Sequence, residues 1–141
     1  MNLTAPLTAD RREHVERRLR TDLMAWLTTV LPNGQPESVP LWFFLQDDGT
    51  FVIFSQPDKL KLRNIDNNPH VALGLDGTDL GRDIIRIEGT ATRAGHLPAA
   101  DRMPGFVAKY AERIARVFGT AEEYAREYSV PVVITPSKLH A

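Results

Sequence analysis

The sequence predicts a single domain, residues 1–141, that is mainly β with flanking helices and is built on an antiparallel sheet or a small barrel. Three observations predict this fold class. About six short apolar runs have the length of strands, an Asn-Gly dipeptide at 33–34 separates the first two, and residues 83–93 alternate between apolar and polar. Strands do not alternate regularly with long helices, as a parallel sheet would require.

The N-terminal third is predicted to be a helix followed by a hairpin. Residues 8–20 form the helix, because Thr8 is a suitable N-cap and apolar residues follow it at helical spacing. Residues 23–30 and 38–45 form two strands. Asn33-Gly34 joins them and is a strong hairpin signal, because both residue types tolerate positive φ.

The strand at 38–45 is apolar on both sides. Alternation puts two groups on opposite sides: Val39, Leu41, Phe43 and Leu45 on one, Trp42 and Phe44 on the other. Such a strand suits a barrel wall that is packed inside and covered outside, or one at a subunit interface. Pro40 lacks an N–H group, so the strand must be an edge, bulged or kinked there. The gap in pairing offers a planar ligand access to the backbone beside Trp42, whereas the simpler alternative is an edge strand blunted by proline.

The rest of the chain contributes four strands and three helices. In order they are a strand, a helix, two strands, two helices and a strand, at residues 51–54, 57–67, 71–75, 83–93, 99–118, 121–128 and 130–134. We expect Gly89 to mark a bulge or bend in its strand and Gly119 to end the long helix. That helix is expected to break near Pro104-Gly105.

The functional prediction depends on the helix at 57–67. Pro57 suits its first turn, and the helix ends before Pro69 because the residue preceding a proline leaves the α region. Free N–H groups at a helix start attract phosphate, and a hydroxyl and three basic side chains accompany them here. These side chains are Ser55, Lys59, Lys61 and Arg63. The alternative is that they are solvated groups on a surface helix.

Composition narrows the classes of function. The formal net charge is −1, so the chain has no overall attraction to nucleic acid or to an anionic membrane. The absence of cysteine excludes disulfides, thiolate metal sites and a cysteine nucleophile. No apolar run reaches membrane-spanning length and the N-terminus lacks the apolar core of a signal peptide, so we expect a cytoplasmic protein.

The usual catalytic motifs are missing from the sequence. The four histidines are scattered without ligand spacing, so no metal site is expected. The sequence contains no G-x-S-x-G nucleophile elbow, no P-loop and no G-x-G-x-x-G. Any chemistry must therefore come from a bound organic cofactor, and no side chain is nominated as a catalytic acid or base.

Three motifs carry a resemblance to a known family. They are V-P-L-W at 39–42, K-L-K-L-R-N at 59–64 and N-P-x-V-x-L at 68–73. In this order they resemble the pyridoxamine 5′-phosphate oxidase-like split-barrel superfamily. The first two are most similar to its actinobacterial branch, which uses the deazaflavin F420. The resemblance covers residues 23–134.

The resemblance implies a six-stranded antiparallel split β-barrel that works as a homodimer, with the cofactor in a groove at the subunit interface. The cofactor ring would lie against the V-P-L-W strand, and its phosphate would lie at the strand–helix turn. The implied cofactor-binding residues are Val39, Pro40, Leu41, Trp42, Ser55, Lys59, Lys61, Arg63 and Asn64. Trp42, Phe43 and the partner's Tyr124 or the partner's Tyr128 would line the acceptor pocket.

The implied function is an F420H2-dependent oxidoreductase that transfers a hydride to a small unsaturated or quinone-like acceptor. Relatives that bind FMN commonly carry an Arg and a Lys near the phosphate, where this sequence has Val39 and Phe44. That departure favours F420 over FMN, because each charge-assisted bond to phosphate contributes roughly 1.5–3 kcal/mol. The alternatives are a non-catalytic split barrel that binds F420, FMN or haem, and an FMN-dependent oxidase.

Overall fold

The computed structural model describes residues 3–77 and 80–141, which form one antiparallel sheet with helices around it. The strands are β1 (Ala25–Val30), β2 (Pro36–Leu41), β3 (Phe44–Leu45), β4 (Phe51–Ser55), β5 (His70–Asp76), β6 (Ile84–Arg93) and β7 (Val130–His140). The α-helices are α1 (Ala9–Thr21), α2 (Leu60–Asn67), α3 (Pro104–Val117) and α4 (Ala121–Glu127), and a 3-10 turn spans Ala100–Arg102.

The sheet curls into a half-barrel of the split-barrel type, which confirms the predicted fold class. Its strand order is β2-β1-β5-β6-β7-β4-β3, and every neighbouring pair is antiparallel. The consecutive strands β2 and β3 therefore lie at opposite edges of the sheet. Because only two residues join β2 to β3, these two edges of the curled sheet come close together where the chain passes between them.

The structure has seven strands instead of six because the predicted strand at 38–45 is divided. Trp42 and Phe43 leave the ladder between β2 and β3. The backbone groups of Phe43 instead bond to α3: its N–H donates to the Tyr110 hydroxyl at 2.9 Å, and Lys109 Nζ donates to its carbonyl at 2.8 Å. Side chains of α3 thus replace the strand partners of this residue.

Alternation along residues 39–45 directs side chains into two separate cores, as the sequence predicts. Phe43 belongs to the core inside the barrel, together with partly buried Val39, Leu41 and Leu45. Trp42 and Phe44 pack in a second, aromatic core with α3 and α4. Of the two alternatives for this two-sided strand, covering by helices of the same chain accounts for Trp42 and Phe44.

Several local predictions are confirmed at the ends of elements. The Thr8 side chain caps α1, and α3 begins at Pro104 and is followed by Gly119 at φ +89°. Gly89 lies at a register shift between β6 and β7, where an added Cβ would stand 2.4 Å from the Thr135 carbonyl oxygen. The hairpin at 33–34 also forms, but only Gly34 has positive φ, at +88°. Its turn is therefore not the type with two left-handed residues.

Two predicted boundaries are wrong. α2 begins at Leu60 rather than near Pro57, because Asp58 has φ +62°, a left-handed conformation that an α-helix does not contain. β7 runs to His140 rather than ending at 134, because its polar second half pairs with the first half of β6 beyond the bulge at Gly89. No helix in the described ranges is both long and apolar enough to span a bilayer.

Candidate functional site

A cavity of about 550 Å³ lies where the edge strand β2, the end of β4, the start of α2 and the α3–α4 region meet. Its walls come from segments far apart in the sequence. The lining residues are Met24, Val39, Pro40, Leu41, Trp42, Phe54, Gln56, Lys59, Lys61, Val117, Phe118, Tyr124 and Tyr128. Six of the nine predicted cofactor-binding residues are in this list, namely Val39, Pro40, Leu41, Trp42, Lys59 and Lys61.

The strand wall of the cavity is the last part of β2. This strand pairs with β1 on one side and is the terminal strand of the sheet on the other. Pro40 lies opposite Trp26 of β1, so the position without an N–H group is on an edge strand, as the sequence predicts. Apolar side chains and an unpaired strand edge together form a surface on which a planar molecule can lie.

The basic wall is formed by Lys59 and Lys61. Lys59 lies just before the first residue of α2 and is not part of the helix. The side chains of Lys59 and Lys61 therefore do not follow helical spacing, and both line the cavity. Neither ammonium group makes a hydrogen bond or ion pair with any residue in the described ranges. Burial first, and then the charge of Lys59, lower the pKa of Lys61, while Glu37 acts in the opposite direction. Two neighbouring unpaired cations form a site for an anionic group.

Three predicted binding residues do not line the cavity. Ser55 is fully buried and its hydroxyl donates to the Gln56 carbonyl at 2.7 Å. Arg63 donates to the Asp58 carbonyl at 3.0 Å on the exposed side of α2. Asn64 is 1% exposed, and its Nδ2 donates to the Thr29 hydroxyl at 3.0 Å, which ties α2 to β1. The geometry therefore gives Asn64 a structural role.

The aromatic wall is organised around Trp42. This ring stacks on Tyr110 at 4.5 Å between ring centres and on Tyr124 at 5.2 Å, and it meets Phe118 edge-on at 6.0 Å. Tyr124 also stacks on Tyr128, at 4.8 Å. Stacked aromatic pairs contribute roughly 0.5–1.5 kcal/mol beyond their burial, so the stacking stabilises this wall.

The aromatic wall bears on two expectations about the acceptor pocket. Tyr124 and Tyr128 of the same chain as Trp42 line the cavity, and a contribution from the partner subunit stays a prediction. Phe43 is fully buried in the barrel core and does not line the cavity. The spacing of Tyr124 and Tyr128, four residues apart in the predicted helix at 121–128, was a signal that both rings share a face.

The positions that differ from FMN-binding relatives are occupied by apolar side chains in the structure. Val39 lines the cavity, and Phe44 packs so closely on Gly105 that a Cβ there would stand 2.4 Å from its ring. Among the described residues, basic groups therefore reach the cavity only from the α2 side, through Lys59 and Lys61. Within residues 3–77 and 80–141, no group of three or more His, Asp or Glu side chains could hold a metal ion.

The charge and shape of the cavity suit one class of ligand. A lysine pair at one side and aromatic rings with a strand edge at the other suit an amphipathic ligand that is planar at one end and anionic at the other. The described residues that line the cavity include two phenols and no carboxylate.

Several proteins of known structure resemble this architecture. Solved structures that resemble it include an F420 reductase, with 24% identity, a TM-score of 0.65 and coverage of 89% of this chain and 94% of that one. General Stress Protein 26 from Bacillus anthracis is 23% identical, with a TM-score of 0.66 and coverage of 91% and 90%. HupZ from Group A Streptococcus is 21% identical, with a TM-score of 0.60 and coverage of 94% and 91%.

At these identities the likenesses show a shared fold alone. No curated protein is significantly similar to this sequence. The model of the pyridoxamine 5′-phosphate oxidase family, however, matches residues 12–141. Because the match spans nearly the whole chain, this protein belongs to the pyridoxamine 5′-phosphate oxidase family.

Proposed function

We propose that this protein is an F420H2-dependent oxidoreductase that transfers a hydride to a small unsaturated or quinone-like acceptor. The observation that carries the proposal is the pair Lys59 and Lys61, two cations that make no hydrogen bond or ion pair with any described residue and line a cavity that Trp42 and β2 wall on the other side. Their exposure to a shared cavity favours an anionic ligand.

The residues present fit a phosphate-bearing deazaflavin. Lys59 and Lys61 would hold the anionic part, and the edge of β2 at Val39–Leu41 would lie along the ring. When bound, this cofactor supplies the hydride. The protein's own residues would position the ring against the strand, with the apolar side chains of Phe118, Val117 and Met24 beside it.

The choice of F420 over FMN rests on the distribution of charge. FMN-binding relatives commonly place cations at the positions that Val39 and Phe44 occupy here, so FMN would lose two contacts to its phosphate. The lysine pair beside α2 remains available to an extended anionic cofactor. The likeness to an F420 reductase supports the fold that this function needs, and the cofactor remains part of the proposal.

We also propose that the protein acts as a homodimer on a small-molecule acceptor. On the outer face of β1, Trp26 is 51% exposed, opposite Pro40 on one side and Gly74 on the other. A large exposed aromatic next to two residues with small or rigid side chains forms a flat apolar area. Such an area suits contact with a second copy of the chain.

A titration tests the function. F420, FMN and haem are added separately to the protein, and binding is followed by the cofactor spectrum and by quenching of Trp26 and Trp42 fluorescence. We expect F420 to bind more tightly than FMN and to be oxidised when a quinone acceptor is added. Tight binding without turnover of any acceptor would favour a non-catalytic binding protein, and tighter binding of FMN or haem would overturn the F420 assignment.

A further inference from the structure

The hydroxyl of Tyr124 is a polar group without a hydrogen-bond partner among the described residues. Tyr124 is only 3% exposed, yet its hydroxyl makes no hydrogen bond to any residue in the described part of the chain. Within that part, every side-chain nitrogen or oxygen sealed from solvent does have a partner. The Tyr124 hydroxyl must therefore touch open space, and the open space beside this residue is the cavity.

The ring that carries this hydroxyl is held firmly. It stacks on Trp42 and Tyr128, meets Phe118 edge-on at 5.0 Å and packs against Phe106 at 5.6 Å. Because four rings surround it, the hydroxyl has one fixed direction. Burial, together with the neighbouring Tyr128 and Tyr110, raises the pKa of Tyr124, so the phenol stays neutral and keeps its donor hydrogen.

Tyr110, in the same aromatic core, has a hydroxyl that is hydrogen-bonded within the protein. Its hydroxyl accepts from the Phe43 N–H at 2.9 Å and lies 2.9 Å from the carbonyl oxygens of Phe43 and Leu23. The two tyrosines are both buried and both stack on Trp42. The two tyrosines differ in that the Tyr124 hydroxyl has no such bond to any described residue. Because a buried polar group is normally paired, we expect its partner to be a ligand in the cavity.

We propose that the Tyr124 hydroxyl donates a hydrogen bond to a carbonyl oxygen of a planar conjugated ligand in the aromatic end of the cavity. This inference rests on the proposed function, in which the lysine pair holds an anionic group at the other end. The carbonyl can belong to the cofactor ring or to the acceptor that is reduced. Both offer the same chemistry, an oxygen in the plane of a ring, and the experiment separates them.

The test compares wild-type protein with Tyr124→Phe, which removes only the hydroxyl. Affinity for F420 is measured alone, and affinity for the quinone menadione is measured with F420 saturating. We expect one of the two affinities to fall about 2- to 10-fold, the range that one hydrogen bond supports. Infrared difference spectra of the weakened ligand should show its carbonyl band at higher wavenumber in Tyr124→Phe than in wild type.

Tyr128→Phe is the matched variant, because it removes the neighbouring stacked hydroxyl. Loss of F420 affinity in Tyr124→Phe identifies the cofactor ring as the ligand, and loss of menadione affinity alone identifies the acceptor. A carbonyl band that moves in Tyr128→Phe but not in Tyr124→Phe overturns the assignment.

The failure of the inference and the failure of the proposed function are distinguishable. If F420 binds and Lys61→Ala weakens it, while Tyr124→Phe alters neither affinity nor carbonyl band, only the inference on Tyr124 is overturned. If neither F420 nor menadione binds the wild type, the proposed function and the inference fall together.

Discussion

The hydroxyl of Tyr110 lies 2.9 Å from both the backbone nitrogen and the carbonyl oxygen of Phe43. The Tyr110 side chain of α3 thus provides a hydrogen-bond partner for the backbone of Phe43, which leaves the sheet between β2 and β3. Trp42, the neighbour of Phe43, stacks on the same tyrosine at 4.5 Å. Tyr110 therefore holds the segment that forms one wall of the cavity.

Replacement of Tyr110 by Phe should destabilise the protein. The ring and its stacking remain, but the buried N–H of Phe43 loses its acceptor, which costs about 1–3 kcal/mol. Urea denaturation measures the change in the free energy of unfolding. Tyr128→Phe is the control, since its hydroxyl makes no hydrogen bond in the described ranges and its loss should change stability by about 0.5 kcal/mol or less. Equal losses in the two variants would contradict this role for Tyr110.

Replacement of Lys61 by Ala should weaken the binding of F420. One charge-assisted contact to the anionic group is lost, so we expect about 1.5–3 kcal/mol less binding free energy, and a smaller difference at high salt. Fluorescence titration at two ionic strengths measures it. Lys138→Ala removes the same charge from an exposed position on β7, away from the cavity, and should leave the affinity unchanged. Unchanged affinity in Lys61→Ala would remove this lysine from the site.

The sequence predicts the strands, and it predicts that Pro40 lies on an edge strand or at a bulge or kink, because these features depend on local patterns. Alternation along residues 39–45 also predicts correctly that Phe43 and Trp42 point into different cores. It does not predict the break between β2 and β3, because the groups that replace the ladder there come from Lys109 and Tyr110, more than 60 positions away. Non-local hydrogen bonds leave no local signal.

The same reason explains which site residues were missed or misplaced. Tyr124 joins Trp42 only after α4 folds against the sheet, so its position required the tertiary structure. The lysines were predicted because they accompany a helix start, which attracts phosphate, and because they match a family motif. Their meeting on one wall, however, depends on the left-handed turn at Asp58, which delays the start of α2. Asn64 follows them in the motif but faces inward.

Asn64 should affect stability rather than binding. Its Nδ2 donates to the Thr29 hydroxyl at 3.0 Å, and both residues are 1% exposed. Asn64→Ala leaves a buried hydroxyl unpaired and should cost about 1–3 kcal/mol of unfolding free energy with F420 affinity unchanged. The double variant Asn64→Leu/Thr29→Val removes both polar partners and should recover part of that loss. If Asn64→Ala is fully folded and still binds F420 more weakly than wild type, Asn64 contributes to the binding site.

Lys109 should make stability depend on pH above neutrality. Burial lowers the pKa of Lys109 to about 8, while Asp22 acts in the opposite direction; its Nζ lies 3.8 Å above the Phe43 ring. Between about pH 8 and the ordinary lysine pKa near 10.5, the unfolded chain binds more protons at this group than the folded one. The contribution of Lys109 to the free energy of unfolding therefore rises with pH across this window.

The measurement for Lys109 is the difference in unfolding free energy between wild type and Lys109→Met, followed from pH 7 to pH 10.5. Methionine keeps the apolar stem and removes the titration. The difference should shift in favour of the wild type as pH rises. A difference that stays constant with pH would mean that the folded-state pKa of Lys109 is not lowered.

Trp26 should control assembly if the outer face of β1 contacts a second chain. Its side chain is 51% exposed and lies opposite Pro40 and Gly74 on the neighbouring strands, so a partner can approach closely. We expect wild-type protein to sediment as a dimer and Trp26→Glu as a monomer, because the carboxylate would be buried without a partner at the interface. Leu80→Glu is the control, since Leu80 is 71% exposed in a turn and should not change the sedimentation coefficient. A wild type that sediments only as monomer, or a Trp26→Glu variant that remains dimeric, would show that this face is not the subunit interface.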